Sequence, residues 1–292
     1  SLFFMPELPE VDITKKTLQK YVENQYIADI KINNYNLRYK IDKNFKTNIR
    51  GKKINKITRR SKYLIFHLSD KNFFILHLGM SGRILISKNK DKDLLDTSFY
   101  STTLPIHKHN HLYFIFKNNT MIYNDTRRFG FIKYYTHAQF LKCQHLIHLG
   151  VEPLSKKLNF KFFKRKIVQF NKAIKNILMD QTFICGLGNI YVNEALFLSK
   201  INPNRKAPTL EDREVTLLIK SIKTILTKSI SLGGSTIRDF HNSEGKSGEF
   251  QNSFKVYGKE NEKCPRKKCN ELIKKIIIAG RATFFCSSCQ KE

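Results

Sequence analysis

The hydrophobic pattern changes period twice along the chain. Behind two closely spaced prolines, Pro6 and Pro9, apolar residues Val11, Leu18 and Val22 recur on one helical face. Glu10 and Asp12 occupy the first turn of this segment, and Lys15, Lys16 and Lys20 follow, a charge order that suits the helix dipole. The prolines confine the start, so Pro6-Glu7 is expected just ahead of the helix. From about residue 27 to 135 the pattern shortens to runs rich in β-branched and aromatic residues: YLIFHL, FFILHL, RILI, HLYFIF, TMIYN and FIKYY, separated by turn clusters such as SDKN and KNNT. That spacing predicts a β-sandwich or barrel. Residues 137–149 read as a short helix ended by Gly150. Beyond Pro153, segments near 160–180, 189–200 and 210–231 lack strand alternation and read as helices. The stretch GGSTIRDFHNSEGKSGEF then interrupts as a long loop, and a cysteine unit begins at Cys264. No internal repeat is present. The predicted class is α+β: a β-domain, a helical domain, a loop and a metal-knuckle tail.

Composition narrows the partners. With 292 residues and 41% hydrophobic content the chain can bury a substantial core. No apolar run reaches the length of a membrane helix, and SLFF is too short for a secretory signal and lacks a basic lead-in. Fifty-three Lys and Arg against 24 Asp and Glu give a formal charge of +29. A lysine-rich composition inflates that figure, but the scarcity of acids still points to a polyanionic partner. Nucleic acid is the first expectation. An anionic membrane surface is the second, without a basic amphipathic anchor to support it. Four of the six cysteines fall in the last thirty residues. Without a secretion signal they read as metal ligands rather than disulfides, and the isolated Cys143 and Cys185 read as small buried hydrophobes.

Four constellations carry candidate chemistry. Cys264-x4-Cys269 and Cys286-x2-Cys289, sixteen residues apart, supply two thiolate pairs, enough for one closed and therefore structural tetrahedral zinc. Between them KKIIIAGRATFF reads as two strands joined through Ala279-Gly280, which makes the unit a β-hairpin finger with Arg281 at its turn, facing phosphate. HLGMSGR at 77–83 and NDTRRFG at 124–130 set large side chains beside glycine turns. Met80 as a core residue and a solvated Arg pair is one reading. In so basic a protein the other is a set of wedges that fill the hole left by a base extruded from duplex DNA. In HKHNH, His107, His109 and His111 would share one face of a strand, and with no carboxylate or cysteine companion they suit phosphate contact or plain surface better than metal. In DQTFICGLGNIYVNEALF, Gly186 and Gly188 precede a helical run with Asn189 at the expected N-cap. Backbone N–H groups there suit a phosphate, and a packing corner is the alternative.

The strings PELPEV, RRSKYL, HLGMSG, NDTRRFG, LGVEPL, LMDQTFICGLGNIYVNEALF, GGSTIRDF, KVYG and the cysteine tail stand in the order found in bacterial formamidopyrimidine-DNA glycosylases. The chain resembles that family from Met5 to Lys291. The resemblance implies an N-terminal two-sheet β-sandwich with flanking helices over 6–150, a helix–two-turn–helix domain over 151–254 with a lesion-capping loop at 233–250, and a β-hairpin zinc finger over 255–292. Residues 1–5 would be absent from the active enzyme. It implies a bifunctional glycosylase and abasic-site lyase acting on 8-oxoguanine and formamidopyrimidines in double-stranded DNA. Pro6, as a terminal secondary amine, would be the nucleophile, Glu7 the general acid/base, and Lys62 and Arg281 supporting catalytic groups. Met80, Arg127 and Phe129 match void-filling residues, and His109, Lys175 and Asn189 match DNA contacts. Ser235, Thr236, Ile237, Arg238, Asp239 and Phe240 match the lesion loop, and Cys264, Cys269, Cys286 and Cys289 the ligands of one structural zinc. The family expectation is a monomer in the bacterial cytoplasm at the nucleoid, with no nucleotide cofactor and no membrane.

Three departures qualify the match. The leading cysteines are four residues apart where the family usually has two. Asp12 stands where the family motif has a glutamate. Ser1-Leu2-Phe3-Phe4 precedes Met5, which reads as the true start, and while those residues persist Pro6 is an amide without a nucleophilic lone pair. The same residues admit a catalytically silent DNA-binding protein if the terminus stays blocked. The pyrimidine-specific sister group is the other relative considered, and Leu8, Arg127 and Phe129 argue against it.

Overall fold

The computed structural model describes residues 6–88, 94–96, 107–233 and 253–291. The chain packs as two bodies, one running to Ile147 and one comprising His148–Ser231 and 253–291.

The first body opens with helix α1 (Leu8–Tyr21). Glu7 is its N-cap in extended conformation, and Glu7 and Glu10 form a capping box, in which the Glu7 N–H donates to Glu10 Oε2 at 3.0 Å. Val11, Leu18 and Val22 are buried, as the helical spacing predicts. Two antiparallel sheets follow. One has the order β1 (Asp29–Ile32), β7 (Asn110–Ile115), β8 (Asn119–Asp125), β5 (Gly82–Lys88), β6 (Leu94–Asp96). The other has the order β2 (Ile54–Arg60), β3 (Tyr63–Leu68), β4 (Phe73–His77), β9 (Phe131–Tyr135). The two sheets share a core with α1 and the short helix α2 (Phe45–Ile49), in which Phe74 stacks on Phe66 at 4.2 Å and on Phe114 at 5.6 Å. The outer face of the four-stranded sheet is covered as well: Ile65, Phe73, Ile75 and Phe131 cluster with Cys143, Phe140 and Leu146. Strands buried on both faces lose polar alternation, which is why YLIFHL and FFILHL read as continuous apolar runs.

The expected helix over 137–149 is in fact two, α3 (His137–Leu141) and α4 (Gln144–Ile147). Thr136 and Gln139 form a capping box at the start of the first, and the chain turns at Lys142 to bury Cys143. Strand β2 escaped the pattern because Ile54 and Ile57 are its only apolar residues and a bulge between Ile54 and Lys56 breaks their phase.

The second body contains α5 (Phe160–Ile167), α6 (Ile174–Met179), α7 (Asn189–Leu198) and α8 (Asp212–Ser231). The segment expected as one helix over 160–180 therefore breaks into α5 and α6. Every residue of α7 from Ile190 to Phe197 is buried, so that helix shows no polar stripe. The finger hairpin pairs β10 (Lys274–Ile278) with β11 (Arg281–Phe285). Its two-residue turn puts Ala279 at φ +48° and Gly280 at φ +71°, the positive values that a tight hairpin needs.

Replacing Phe74 with Ala removes the ring shared by both sheets and should destabilise the first body by ~3–5 kcal/mol in urea unfolding. A loss below about 1 kcal/mol would mean that the stack contributes little.

Candidate catalytic and nucleic-acid-binding site

The amino end of the first body carries Pro6 and Glu7, two of the four expected catalytic residues. Pro6 is buried at the residue before the N-cap, and Glu7 and Glu10 are almost wholly enclosed. Asp12, on the same helix, accepts from Lys15 at 2.9 Å and lies 3.3 Å from Arg59 Nε. Burial raises the Asp12 carboxyl, but the Lys15 hydrogen bond and the charges of Lys15, Arg59 and Lys16 outweigh it and hold the group below the usual carboxylate range. Arg59 also donates to the Ser61 carbonyl at 2.8 Å. Thus the residue in the family's glutamate position ties α1 to the β2–β3 hairpin, whose two-residue turn is Ser61-Lys62. Ser61 holds φ +54°, uncommon for a residue with a side chain, and Lys62 is 9% exposed.

The two glycine turns form one unit around Asp125. This fully buried carboxylate accepts from Ser81 Oγ at 2.5 Å, Tyr123 OH and Gly130 N at 2.9 Å each, and Arg127 N at 3.2 Å. Burial, followed by the neighbouring Asp125 charge, pushes the Tyr123 hydroxyl well above its ordinary value, so it stays a donor. A Cβ on Gly79 would strike the backbone of Phe129 and Gly130, and one on Gly130 would strike the Tyr123 hydroxyl. Glycine is what permits this approach. The turn it builds presents Arg127 and Phe129 outward, with the guanidinium 4.6 Å from the ring centre. Met80, half-buried on the facing turn, is not a core residue. His77 Nδ1 accepts the Gly79 N–H at 3.0 Å, and its ring stacks on Phe131 at 5.6 Å. Burial, then the charges of Lys62, Arg38 and His145, lower its pKa to about 3. His77 is therefore a neutral acceptor at physiological pH, and Lys62 and Arg38 are its electrostatic neighbours.

The histidine cluster departs from expectation. His107–His109 is a 3₁₀ turn, and β7 begins only at Asn110. The three rings therefore do not share a strand face. His111 is buried with Nε2 2.7 Å from the Asp125 carbonyl, while His107 and His109 lie on the turn. Burial, then Lys108, His111 and Arg83, push the His109 ring toward its neutral form.

In the second body Lys175, Asn189 and Arg281 come together at the finger hairpin. Lys175 Nζ donates to the Ala282 carbonyl at 3.2 Å and to Thr283 Oγ1 at 2.5 Å, and Asn189 Nδ2 donates to the same carbonyl at 2.9 Å. Two donors therefore converge on the carbonyl next to Arg281. Lys175 and Arg281 line a cavity of about 340 Å³ with Phe170, Asp180 and Ile278. The N-cap of α7 is Gly188 and not Asn189, because the extended backbone falls on the glycine. This frees the Asn189 side chain to reach the finger. Sequence reading also passed over Gln181, whose side chain accepts the Gly186 N–H at 2.8 Å and donates to the Leu187 carbonyl at 2.7 Å, and over Glu194. That buried carboxylate accepts N–H groups from Lys255, Val256 and Tyr257 at 2.8–3.0 Å.

The four tail sulfurs lie within 4.8 Å of one another, with Cys264–Cys289 at 3.9 Å and Cys269–Cys286 at 3.7 Å. A tetrahedron with Zn–S bonds of about 2.3 Å has edges of about 3.8 Å, so the donor set fits that ion despite the wider knuckle. Arg266, inside that knuckle, donates to the Phe197 carbonyl at 2.6 Å at the end of α7, with its guanidinium 4.6 Å from the Phe197 ring centre. Cys143 and Cys185 are buried, as expected. Ser235–Phe240, matched to the lesion loop, lie outside the described residues. No helix among the described residues is long and apolar enough to cross a membrane.

Residues 5–132 match the family model of the formamidopyrimidine-DNA glycosylase N-terminal domain, and residues 149–241 match its H2TH domain. Formamidopyrimidine-DNA glycosylases of Rickettsia canadensis and Roseobacter denitrificans are each 38% identical over 98% of this chain, and cover 99% and 100% of their own lengths. Crystal structures of the Lactococcus lactis enzyme superpose over 98% of this chain and the whole of theirs. A mutant form in complex with Fapy-dG-containing DNA gives a TM-score of 0.85, and a non-covalent complex with abasic-site DNA gives 0.82, both at 36% identity.

The His77 environment sets an acid limb of stability. The folded state keeps the ring neutral down to about pH 3, whereas the unfolded chain takes up a proton near pH 6.5. The unfolded state thus binds more protons in that window, and stability falls as pH drops through it, by up to ~1.4 kcal/mol per pH unit. Above pH 6.5 the contribution vanishes. His77→Gln should flatten this limb in urea titrations at pH 4–6, and an unchanged slope would contradict the assignment.

Proposed function

Because the chain belongs to the formamidopyrimidine-DNA glycosylase family, we propose that it excises oxidised purines, chiefly 8-oxoguanine and formamidopyrimidines, and then cleaves the abasic site by β,δ-elimination. The observation that carries the reading is Pro6 at the residue before the Glu7-capped start of α1, on the helix that Asp12 and Arg59 link to the Lys62 hairpin.

The chemistry follows once residues 1–5 are removed. The proline then carries a secondary amine beside a helix N-terminus, where the positive end of the dipole disfavours protonation and leaves the lone pair available. That nitrogen attacks C1′ of the damaged nucleotide, a C–N bond forms, and the glycosidic bond breaks with its electron pair going to the base. Glu7 delivers a proton to the sugar ring oxygen as the ring opens to an iminium. The iminium acidifies the C2′ proton. Loss of that proton expels the 3′-phosphate, a second elimination expels the 5′-phosphate, and a one-nucleotide gap remains. Lys62 supports the first elimination and Arg281 the second.

Recognition divides among the other groups. Met80, Arg127 and Phe129 fill the space vacated by the extruded nucleotide, with Arg127 facing the orphaned cytosine. His109, Lys175 and Asn189 contact the DNA, and Lys175 and Asn189, both bonded to the Ala282 carbonyl, also set the position of Arg281. Ser235–Phe240 close on the lesion, and backbone N–H groups around Ile237–Phe240 read its O6 edge. The four cysteines hold one structural zinc, which fixes the knuckles of the finger. The protein works as a monomer at the nucleoid of the bacterial cytoplasm.

Borohydride trapping on an 8-oxoguanine:C duplex tests the nucleophile. A chain beginning at Pro6 should form a covalent protein–DNA adduct, while the 292-residue chain with its acylated proline should form none. Equal trapping by both, or by neither, would rule out the terminal amine. Cys286→Ser should release the metal, read as lost zinc stoichiometry, and weaken duplex binding while residual trapping persists. Unchanged affinity in that variant would remove the structural role of the finger.

A further inference from the structure

Three buried polar side chains cross the five-stranded sheet in a row, and nothing in the proposed reaction uses them. Arg83 on β5 stands opposite Asn124 on β8, and Asn124 stands opposite Asn110 on β7. All three are under 8% exposed, and Asn124 is fully buried. Arg83 Nε donates to Asn124 Oδ1 at 3.1 Å, and Asn124 Nδ2 donates to Asn110 Oδ1 at 2.6 Å. The Asn110 amide continues the row, donating to Tyr113 OH at 3.1 Å and lying 3.5 Å from His107 Nδ1. Asn33 holds the Asn110 carbonyl at 3.2 Å. Buried amides are costly unless bonded, and apolar residues of similar size would build an ordinary sheet at these positions.

The row ends at the residue that follows His109. Asn110 is the first residue of β7, where the ladder to β8 shifts register, so strand pairing alone does not set the direction of the chain leaving the sheet. Its side chain and carbonyl are instead clamped from both sides. One position further along β8, Asp125 holds the turn bearing Arg127 and Phe129 and, through Ser81, the turn bearing Met80. Adjacent residues of one strand thus anchor the His107–His109 turn and the Met80/Arg127/Phe129 turns.

We propose that Asn124, bonded between Arg83 and Asn110, is a positioning residue that fixes the His107–His109 turn so that His109 meets a DNA phosphate in register with the void-filling turns. The inference rests on the reading of His109 as a DNA contact. It adds that the contact depends on an amide bridge inside the sheet.

The test is equilibrium binding of the full chain to a duplex carrying a tetrahydrofuran abasic analogue, for His109→Ala, Asn124→Leu, Asn110→Ala and the two double variants containing His109→Ala. A hydrogen bond to a charged group is worth about tenfold or more in affinity, so each single variant should weaken binding by about that factor. Neither double variant should be weaker than His109→Ala alone, because the effects of the row pass through that residue. Asn110→Ala carries the test should Asn124→Leu not fold. If His109→Ala weakens binding while the row variants do not, or if their effects add in full, the row is ordinary sheet structure and the proposal fails. If His109→Ala binds as tightly as the parent, the reading of His109 as a contact fails first and takes this inference with it.

Discussion

The first body's candidate site depends on one buried carboxylate. Asp125 lies at the end of β8 and accepts from the Ser81 hydroxyl, the Tyr123 hydroxyl and two backbone N–H groups, at distances from 2.5 to 3.2 Å. Apart from Tyr123, which shares strand β8 with Asp125, each donor belongs to a turn that would otherwise be an independent loop. Ser81 brings the Met80 turn, and Arg127 and Gly130 bring the turn with the exposed Arg–Phe pair. The glycines at 79 and 130 follow from this, since the two backbones must come close enough that no Cβ fits between them. A carboxylate with several fixed donors is a stiff way to hold such loops.

The second body meets a similar demand by other means. Its finger is a two-stranded hairpin, too small to hold its own position. Lys175 and Asn189 fasten β11 through one carbonyl, Asn193 accepts the Phe284 N–H at 2.7 Å, and Arg266 closes on the far end of α7. Helix α7 is therefore gripped at both ends by the unit that carries Arg281. The wider cysteine knuckle, a departure from the family pattern, uses its extra length to carry Arg266 to the helix carbonyls while the sulfurs still close to tetrahedral spacing. A cation suits that end of a helix, where the carbonyls lack partners.

What the sequence disclosed follows from the range of the forces involved. Helix α1, the central strands and the hairpin through Ala279-Gly280 are set by periodicity and turn chemistry within a few residues, and all were legible. The break after Ile167, the split at Lys142 and strand β2 depend on what packs against them, so local pattern misjudged them. Site residues divide in the same way. Arg127 and Phe129 stand out in their string, but the aspartate two residues before Arg127 drew no attention, because the bond that joins its turn to the Met80 turn comes from Ser81, 44 residues distant. The Lys175 ammonium finds Thr283 across 108 residues. The histidines misled for a related reason. Alternation suggested a strand, yet the strand begins where the Asn124–Asn110 bond starts to hold the chain, one residue beyond His109.

The distribution of buried polar groups joins these observations. Glu7 and Glu10 at the start of α1, Arg83, Asn110, Asn124 and Asp125 in the sheet, and Lys175 and Glu194 in the second body are all largely removed from water and hydrogen-bonded. Stability alone does not call for so many, since an apolar residue of equal volume is often as good or better. Some bond to one another inside the sheet, as Arg83, Asn124 and Asn110 do, and the others bond to turns, caps and hairpin carbonyls. A hydrophobic contact is tolerant of a shift of half an ångström, whereas a bonded carboxylate or amide is not. Desolvating such groups is the cost of holding each turn, cap or hairpin stiffly where it leaves its scaffold.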